Sequence, residues 1–547
     1  MRRSFRQLEK YRNAKLSAEK ARVRPADARL KVCLVFPNSY HVGMSNLAVH
    51  CLYAVINSRK DACCERSFFE EPLTGYSLET ASSLADFDVL AFSVSFELDY
   101  PKILKILNAA RIPLRSNQRS ADHPLIIAGG PCVFSNPEPI ADFFDLLAVG
   151  EGEEMIGDIL DLYSRTGRRS RSRDELLRQL SEVPGIYVPS FYQPVYDAGG
   201  FLKKMNRNEG PALPVSARVV EDLDRHPCAS VILTPNTEFA NMFLIELGRG
   251  CRRGCKFCSA CYTYFRRNRS ADSIIQQIEE AQTLTDRVGL VTSDLSDYPH
   301  RERLLHYLMK KQLAFSVSSI RADAITEDIL AGMRRSRQRT LTVAPEVASE
   351  KLMSITGKRI SSDVLLGAVQ RALQQGILSF KLYFMIGFPE EDEDDIHAII
   401  ELASRVLKAM QESAKETHKI GKLTISINPF IPKPFTPMEA EPFLNEAPLM
   451  RRIRLLRIGI GRLGNTSLLV ESPRTARLQC AFARGDRRVG ALIESAAGDR
   501  SVAQLSRDYG KIIEEFAGAQ PEDAMCPWHV IAPPSTQKKP ARKVSIE

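Results

Sequence analysis

The 547-residue chain has no run of about 20 consecutive apolar residues, so no segment reads as a membrane-spanning helix. Its first residues, Met1-Arg-Arg-Ser-Phe-Arg6, are basic but lead into no apolar core, so no export signal is read. Low-complexity repeats are absent. Cysteine is not scarce, but pairing is. The twelve cysteines stand at 33, 51, 63, 64, 132, 228, 251, 255, 258, 261, 480 and 526, and only those from 251 to 261 show a patterned spacing. That usage fits reduced thiols and predicts a cytoplasmic protein rather than a disulfide scaffold. The length is ample for two or three domains, and 44% hydrophobic residues allow a sizeable core. The net charge is +9, carried by arginine-rich patches at 165–178 and 334–339 and by the tail 538–543. Solvated loops and helix faces explain such patches as a default. A polyanion such as RNA is the sharper reading, and charge alone does not choose between them.

What is present is Glu246-Leu-Gly-Arg-Gly-Cys251-Arg-Arg-Gly-Cys255-Lys-Phe257-Cys258-Ser-Ala-Cys261. Three thiolates spaced C-x3-C-x2-C can hold three irons of a [4Fe–4S] cluster and leave the fourth without a protein ligand. A zinc knuckle is the rival reading, but no second cysteine pair follows at zinc-ribbon spacing. The apolar run 241–245 leads in as a buried strand, which puts the cysteines on a loop at its carboxyl end, where open α/β sheets and barrels place their chemistry. Cys261 extends the run. As a fourth ligand it would block the open iron, so a small buried thiol is the simpler reading.

Cys251, Cys255 and Cys258, with Phe257 before the last, resemble the signature of radical S-adenosylmethionine (SAM) enzymes. The resemblance implies that the open iron chelates the amino and carboxylate groups of SAM. It also implies that an electron from a low-potential flavodoxin- or ferredoxin-type donor cleaves SAM to a 5′-deoxyadenosyl radical. It further implies that Phe257 lies near the adenine, that Ser293 and Asp294 stand where the family usually has a Gly-Gly-Glu-like run, and that Ser318 and Arg321 approach the SAM carboxylate. Glu346 would face the ribose or methionine end; its alternative is an N-cap for a helix at 349–355. The stretch Tyr383–Glu390 resembles the family's G-x-I-x-G-x-x-E run, with Gly387 matching and Tyr383 and Met385 departing. Six strand–helix repeats over 241–440 suit a partial (β/α)6 barrel rather than a closed eight-unit one.

Residues 30–165 alternate strands at 30–37, 89–94, 125–128 and 146–149 with helices, which predicts a Rossmann-like, doubly wound parallel sheet. The order resembles the cobalamin-binding domain that precedes many radical SAM cores. The matching parts are Ser93-Val-Ser95, Gly129-Gly130, and Asn136-Pro-Glu-Pro139 running into Gly150-Glu-Gly152-Glu. The D-x-H-x-x-G loop that ligates cobalt from below is missing, because 38–46 carries His41 without the preceding aspartate. Either cobalamin binds without a protein histidine, or the domain only shapes a pocket.

Around these lie a charged helical arm (1–29), a linker with a β-hairpin (166–240) and a small α-rich C-terminal extension (441–547), whose last residues are expected to be disordered. The run Tyr262, Tyr264, Phe265, Arg266, Arg267, Arg269 could stack bases and pair phosphates, or could pack the first barrel helix. The reading is a radical SAM enzyme, with cobalamin-dependent methyl transfer to an unactivated carbon as one outcome. Sulfur insertion, cyclisation or rearrangement of RNA, protein or a metabolite is another. An iron–sulfur RNA-binding or assembly factor with a structural cluster is the alternative from a different class.

Overall fold

The computed structural model of the protein describes residues 2–166, 172–317, 320–520 and 525–534. Ser318, most of the arginine-rich loop and the basic tail therefore lie outside the described residues. The architecture is mixed α/β, in two compact units that divide between Met242 and Phe243 and again between Cys480 and Ala481.

In the first unit, five parallel strands form one sheet. They are β1 (Leu30–Phe36), β2 (Ala62–Phe68), β3 (Val89–Ser93), β4 (Leu125–Gly129) and β5 (Leu146–Ala148), in the order β2-β1-β3-β4-β5. The short strand β6 (Ile186–Tyr187) adds antiparallel beside β5. This is a doubly wound order in which the chain switches direction between β1 and β3, leaving a crevice at their carboxyl ends. β3 is buried along its whole length, as a strand covered on both faces must be.

Strand β2 has no counterpart among the strands expected from the sequence. Its sequence, Ala-Cys-Cys-Glu-Arg-Ser-Phe, is half polar, yet all seven residues are buried. Arg66 is the reason. Its side chain is 1% exposed and lies 2.8 Å from Glu19 Oε1 and 2.7 Å from Glu79 Oε1. The Tyr40 hydroxyl donates to Glu19 at 2.7 Å, and the Tyr53 hydroxyl donates to Glu79 at 3.2 Å. Burial raises the Glu79 carboxyl above its ordinary range, with Arg66 pulling against it.

Three expected boundaries are corrected. The N-terminal arm is not a separate solvated element. Its helix Arg2–Ala18 buries Leu8, and Glu19 behind it completes the Arg66 network. The stretch 166–240 is not a free linker either, because β6 joins the main sheet, and Ile232–Leu233 pairs with Lys20–Ala21. Its hairpin is Tyr192–Tyr196 with Leu202–Arg207. The C-terminal extension is divided at Cys480. From Ala481 onward the chain is tied to the first unit: Asn136 Nδ2 donates to the carbonyls of Ala483 and Gly485, and Arg487 pairs with buried Glu138 at 2.9 Å.

The second unit holds a three-stranded parallel sheet and a four-stranded one. The first comprises β7 (Phe243–Glu246), β8 (Arg287–Val291) and β9 (Ala314–Val317). The second comprises β10 (Thr340–Glu346), β11 (Ser379–Ile386), β12 (Leu423–Pro429) and β13 (Thr466–Val470). Helices cross over between successive strands, with N-caps such as Ser270, Ser361 and Asp392 satisfying the first free N–H groups. The six strands expected over 241–440 are present, and β13 beyond them extends the second sheet. Helix Glu446–Gly461 buries Leu449, Ile453, Leu456 and Ile460 on one face, and so returns the chain parallel to β12 instead of leaving the sheet.

Substitution of Arg66 tests the first unit's buried charge network. Arg66→Met leaves Glu19 and Glu79 buried without their cation and should cost about 3–5 kcal/mol. The loss should appear as a lower denaturant midpoint for the first unit. An unchanged midpoint would mean that the carboxylates are hydrated or neutral.

Candidate functional site: a cysteine loop at the strand ends of the second unit

β7 ends at Glu246, and the next residues turn at once. Gly248–Arg249 pairs antiparallel with Arg267–Asn268, which pinches off residues 250–266 as a loop. Glu246 holds the neck, pairing with Arg249 at 3.0 Å and with fully buried Arg269 at 2.7 Å. Gly250 has φ +78, and a Cβ there would lie 2.6 Å from the Phe265 carbonyl oxygen, so only glycine closes this neck without strain.

Inside the loop, the chain folds in successive tight turns. The Cys258 N–H donates to the Cys255 carbonyl and the Cys261 N–H to the Cys258 carbonyl, each at 3.1 Å. The side chain of Cys261 interacts electrostatically with those of Cys251, Cys255 and Cys258. The thiol of Cys261 stabilises the Cys251 thiolate, drawing its pKa down to about 6, and lowers that of Cys258 in the same way. Cys255 is pushed up by its own bond to Cys261 and by burial, with Lys358 opposing. Among the described residues, no three His, Cys, Asp or Glu side chains are set to hold a single metal ion.

Neighbouring strand ends fasten the loop. Ser293 Oγ donates to the Gly250 carbonyl at 2.6 Å, beside a 3.1 Å bond from Arg266. Asp294 is buried, caps the turn at Ser296 and pairs with Arg253 at 2.7 Å. The Lys256 N–H donates to the Thr356 carbonyl at 2.8 Å. Phe257 meets Phe388 with ring centroids 5.9 Å apart, and Phe388 stacks on Phe430 at 4.6 Å. These rings belong to an apolar cluster with Val347, Leu352 and Met438.

Glu346 closes β10 in a left-handed conformation, φ +70, which an L-residue adopts at a cost. It does not cap the next helix, whose N-cap is Ser349. Instead it faces Lys358 at 3.3 Å, and burial raises its pKa against the pull of that lysine. Arg321 is one step removed from the loop. The Nε–Nη2 edge of its guanidinium donates to both oxygens of Asp323, which also acts on Arg253. Ser318 lies outside the described residues. The arginines after the aromatic run are not free for phosphates: the Arg266 side chain is 1% exposed and that of Arg269 is fully buried, while Arg267 lies over Phe265.

Lys358, Glu391 and Arg452 were not anticipated from the sequence. The acidic position of the Tyr383–Glu390 stretch was placed at Glu390, but the next residue turns inward. Glu391 accepts from the N–H of Gly387 at 2.9 Å and pairs with Arg452 at 2.7 Å. Two adjacent glutamates after Phe388-Pro389 were the available signal, and only burial separates them.

In the first unit, the anticipated strand-end residues are explained by contacts within the chain. Ser93 is buried, and Ser95 accepts from Asn46 at 3.2 Å. Gly130 has φ +106, and a Cβ there would lie 2.7 Å from the Val94 carbonyl; at Gly150 the corresponding contact is the Arg218 backbone at 2.2 Å. Gly129 abuts Ala148, and Gly152 opens a helix against Leu52. His41 faces Glu238 at 3.5 Å on the surface, and His50 is buried against the Met44 carbonyl.

The chain matches two family models: "Radical SAM proteins, N-terminal" over residues 48–189 and "Radical SAM superfamily" over residues 245–403. It is 28% identical over 497 residues to the uncharacterized protein MJ0966 of Methanocaldococcus jannaschii, covering 89% of this chain and 96% of that one. It is 25% identical over 299 residues to the uncharacterized methyltransferase PH0819 of Pyrococcus horikoshii, covering 52% of this chain and 59% of that one. A solved structure of the cobalamin-dependent SAM radical enzyme OxsB, with aqua-cobalamin and SAM bound, aligns at 14% identity and a TM-score of 0.43, covering 86% of this chain and 71% of that one. No helix among the described residues is long and apolar enough to cross a membrane.

Glu391 gives the site a pH signature. Burial, outweighing Arg452 and the backbone bonds, raises its pKa to about 7 from 4.5. Between those values the folded protein binds a proton that the unfolded chain has lost. The associated stability is complete below about pH 4.5 and disappears as pH rises through 7. Relative to Glu391→Gln, the wild type should therefore lose about 3 kcal/mol between pH 4.5 and 7.5. Denaturation at both pH values measures it, and parallel pH profiles for the two proteins would mean that Glu391 is ionised when folded.

Proposed function

The chain belongs to the radical SAM superfamily, and from that premise we propose that it is an enzyme that reductively cleaves SAM at a [4Fe–4S] cluster held by Cys251, Cys255 and Cys258. One observation carries the reading. The three cysteines share one pinched loop at the carboxyl end of β7, and Phe257 between them packs into the aromatic cluster at the ends of β11 and β12. When bound, the cluster and SAM supply one-electron cleavage to a 5′-deoxyadenosyl radical that abstracts hydrogen from substrate.

The chain's own residues prepare that chemistry. Gly250, Ser293 and Arg266 hold the start of the loop, and Asp294 holds Arg253 within it. Phe257, Phe388 and Phe430 exclude water beside the cysteines and offer an apolar face to an adenine. Glu346 and Lys358 form a mostly buried charged pair at the end of β10, suited to the hydroxyls or charged groups of a nucleoside–amino-acid conjugate. Glu391 fixes the turn at Gly387, whose φ of +96 keeps the strand end open. The electron comes from a flavodoxin- or ferredoxin-type donor.

A second reading, methyl transfer, is favoured by the likeness to the uncharacterized methyltransferase of Pyrococcus horikoshii. It needs cobalamin on the first unit, held by strand-end backbone without a histidine.

Anaerobic reconstitution with iron and sulfide, reduction with dithionite and addition of SAM should yield 5′-deoxyadenosine, detected by mass. Cys251→Ala, Cys255→Ala or Cys258→Ala should reduce the yield to background. Cobalamin retained through gel filtration would select methyl transfer. A stable four-iron cluster that neither binds nor cleaves SAM would overturn the catalytic reading in favour of a structural cluster.

A further inference from the structure

Strand β11 alternates strictly. Phe380, Leu382, Phe384 and Ile386 are buried on one face, while Ser379, Lys381, Tyr383 and Met385 are half-buried on the other. Apolar packing accounts for the first face and for Met385, which packs against the cluster beside Phe257. It does not account for Lys381. This lysine stands on a central strand, and the residues in register beside it are Thr342 on β10 and Thr424 on β12, with Ser467 on β13 beyond. All three carry hydroxyls and none is a carboxylate. Lys381 Nζ lies 4.6 Å from the centroid of the Tyr383 ring, the next residue up the same face. Among the described residues it makes no ion pair and no hydrogen bond. A half-buried ammonium among hydroxyls is costly unless an anion meets it there.

We propose that Lys381 anchors a phosphate group of the substrate on the open face of this sheet, with the hydroxyl of Thr342 as a further donor. The inference rests on the radical SAM reading given above and deepens it by naming a substrate class, a small phosphorylated molecule. The chemistry of the donors selects phosphate. An ammonium is a compact charge with three donors, and a flanking hydroxyl adds another from the side, which suits an anion with several oxygens. A planar carboxylate is better met by the fork of an arginine. Thr342 is exposed and has no side-chain hydrogen bond among the described residues, whereas Thr424 and Ser467 are joined to each other at 3.1 Å. Position supplies the reach. Successive residues of a strand rise about 3.3 Å, so Met385 lies about 13 Å up the face from Lys381. A phosphate held at Lys381 leaves the far end of a molecule of sugar-phosphate or nucleotide length beside Met385, the exposed Asn428 in register with it, and the cluster next to Phe257. SAM carries no phosphate, so it does not compete for this anchor.

The test uses full-length protein, reconstituted anaerobically, with inorganic phosphate as the probe. Lysines are acetylated with an N-hydroxysuccinimide ester, and the rates at Lys381 and at exposed Lys408 are read from peptide masses. Phosphate should slow acetylation of Lys381 saturably, to about one tenth of its rate at about ten times the half-protecting concentration, and leave Lys408 unchanged. Acetate at the same ionic strength should not protect. In parallel, saturable broadening of the phosphorus-31 resonance should be lost in Lys381→Met and kept, weakened, in Lys381→Arg. No protection, or equal slowing at Lys408, would overturn the proposal. Equal protection by acetate would make the anchor one for carboxylates and overturn the substrate class. The labelling is read on wild type, so the proposal stays refutable even where Lys381→Met fails to fold. 5′-Deoxyadenosine formed by the same preparation reports the radical SAM reading separately. Cleavage of SAM without protection refutes the phosphate anchor alone; protection without cleavage refutes the radical SAM reading and, with it, the assignment of the phosphate to a substrate.

Discussion

The second unit depends on the ion pairs that Glu246 makes with Arg249 and Arg269. A strand that ends in a partly buried carboxylate gains from cations, and these two come from opposite arms of the cysteine loop. Pairing them draws the arms together, and Gly248–Arg249 then pairs with Arg267–Asn268 as a short ribbon. The loop becomes a closed ring of backbone, so its cysteines can approach one another without a helix or strand beneath them. Removing either arginine would release both the charge and the neck.

Strain and buried charge recur wherever a strand end approaches this loop. Glu346 is left-handed and paired with Lys358; Gly387 is left-handed and held by Glu391, which is held in turn by Arg452. Each is costly alone, and each is over-determined by neighbours packed behind it. The first unit uses the same device for stability. Arg66 fills the interior of an edge strand between two carboxylates, where an aliphatic residue would have served.

Much of the fold was legible because apolar runs of the right length mark buried strands. Leu30–Phe36, Val89–Ser93 and Leu125–Gly129 in the first unit were visible this way, as were the six strands from Phe243 to Pro429 in the second. Ala62–Phe68 was not, since Glu65 and Arg66 break the pattern and the partners of Arg66, Glu19 and Glu79, stand 47 and 13 residues away. The division at Cys480 was hidden for a similar reason: Ala481 onward is bound through Asn136 and Glu138, some 350 residues earlier.

At the site, the sequence by itself determined the donor set. Three cysteines at C-x3-C-x2-C, with Phe257 and glycines among them, define a chemistry through local spacing, and local spacing survives any fold. Tertiary structure decided which residues serve that loop. Ser293 and Asp294 reach it, Arg321 is held off by Asp323, and Glu391 rather than Glu390 turns inward. Such choices depend on which side chain is buried against which partner. Burial is a property of packed elements, and no spacing along a single chain encodes it.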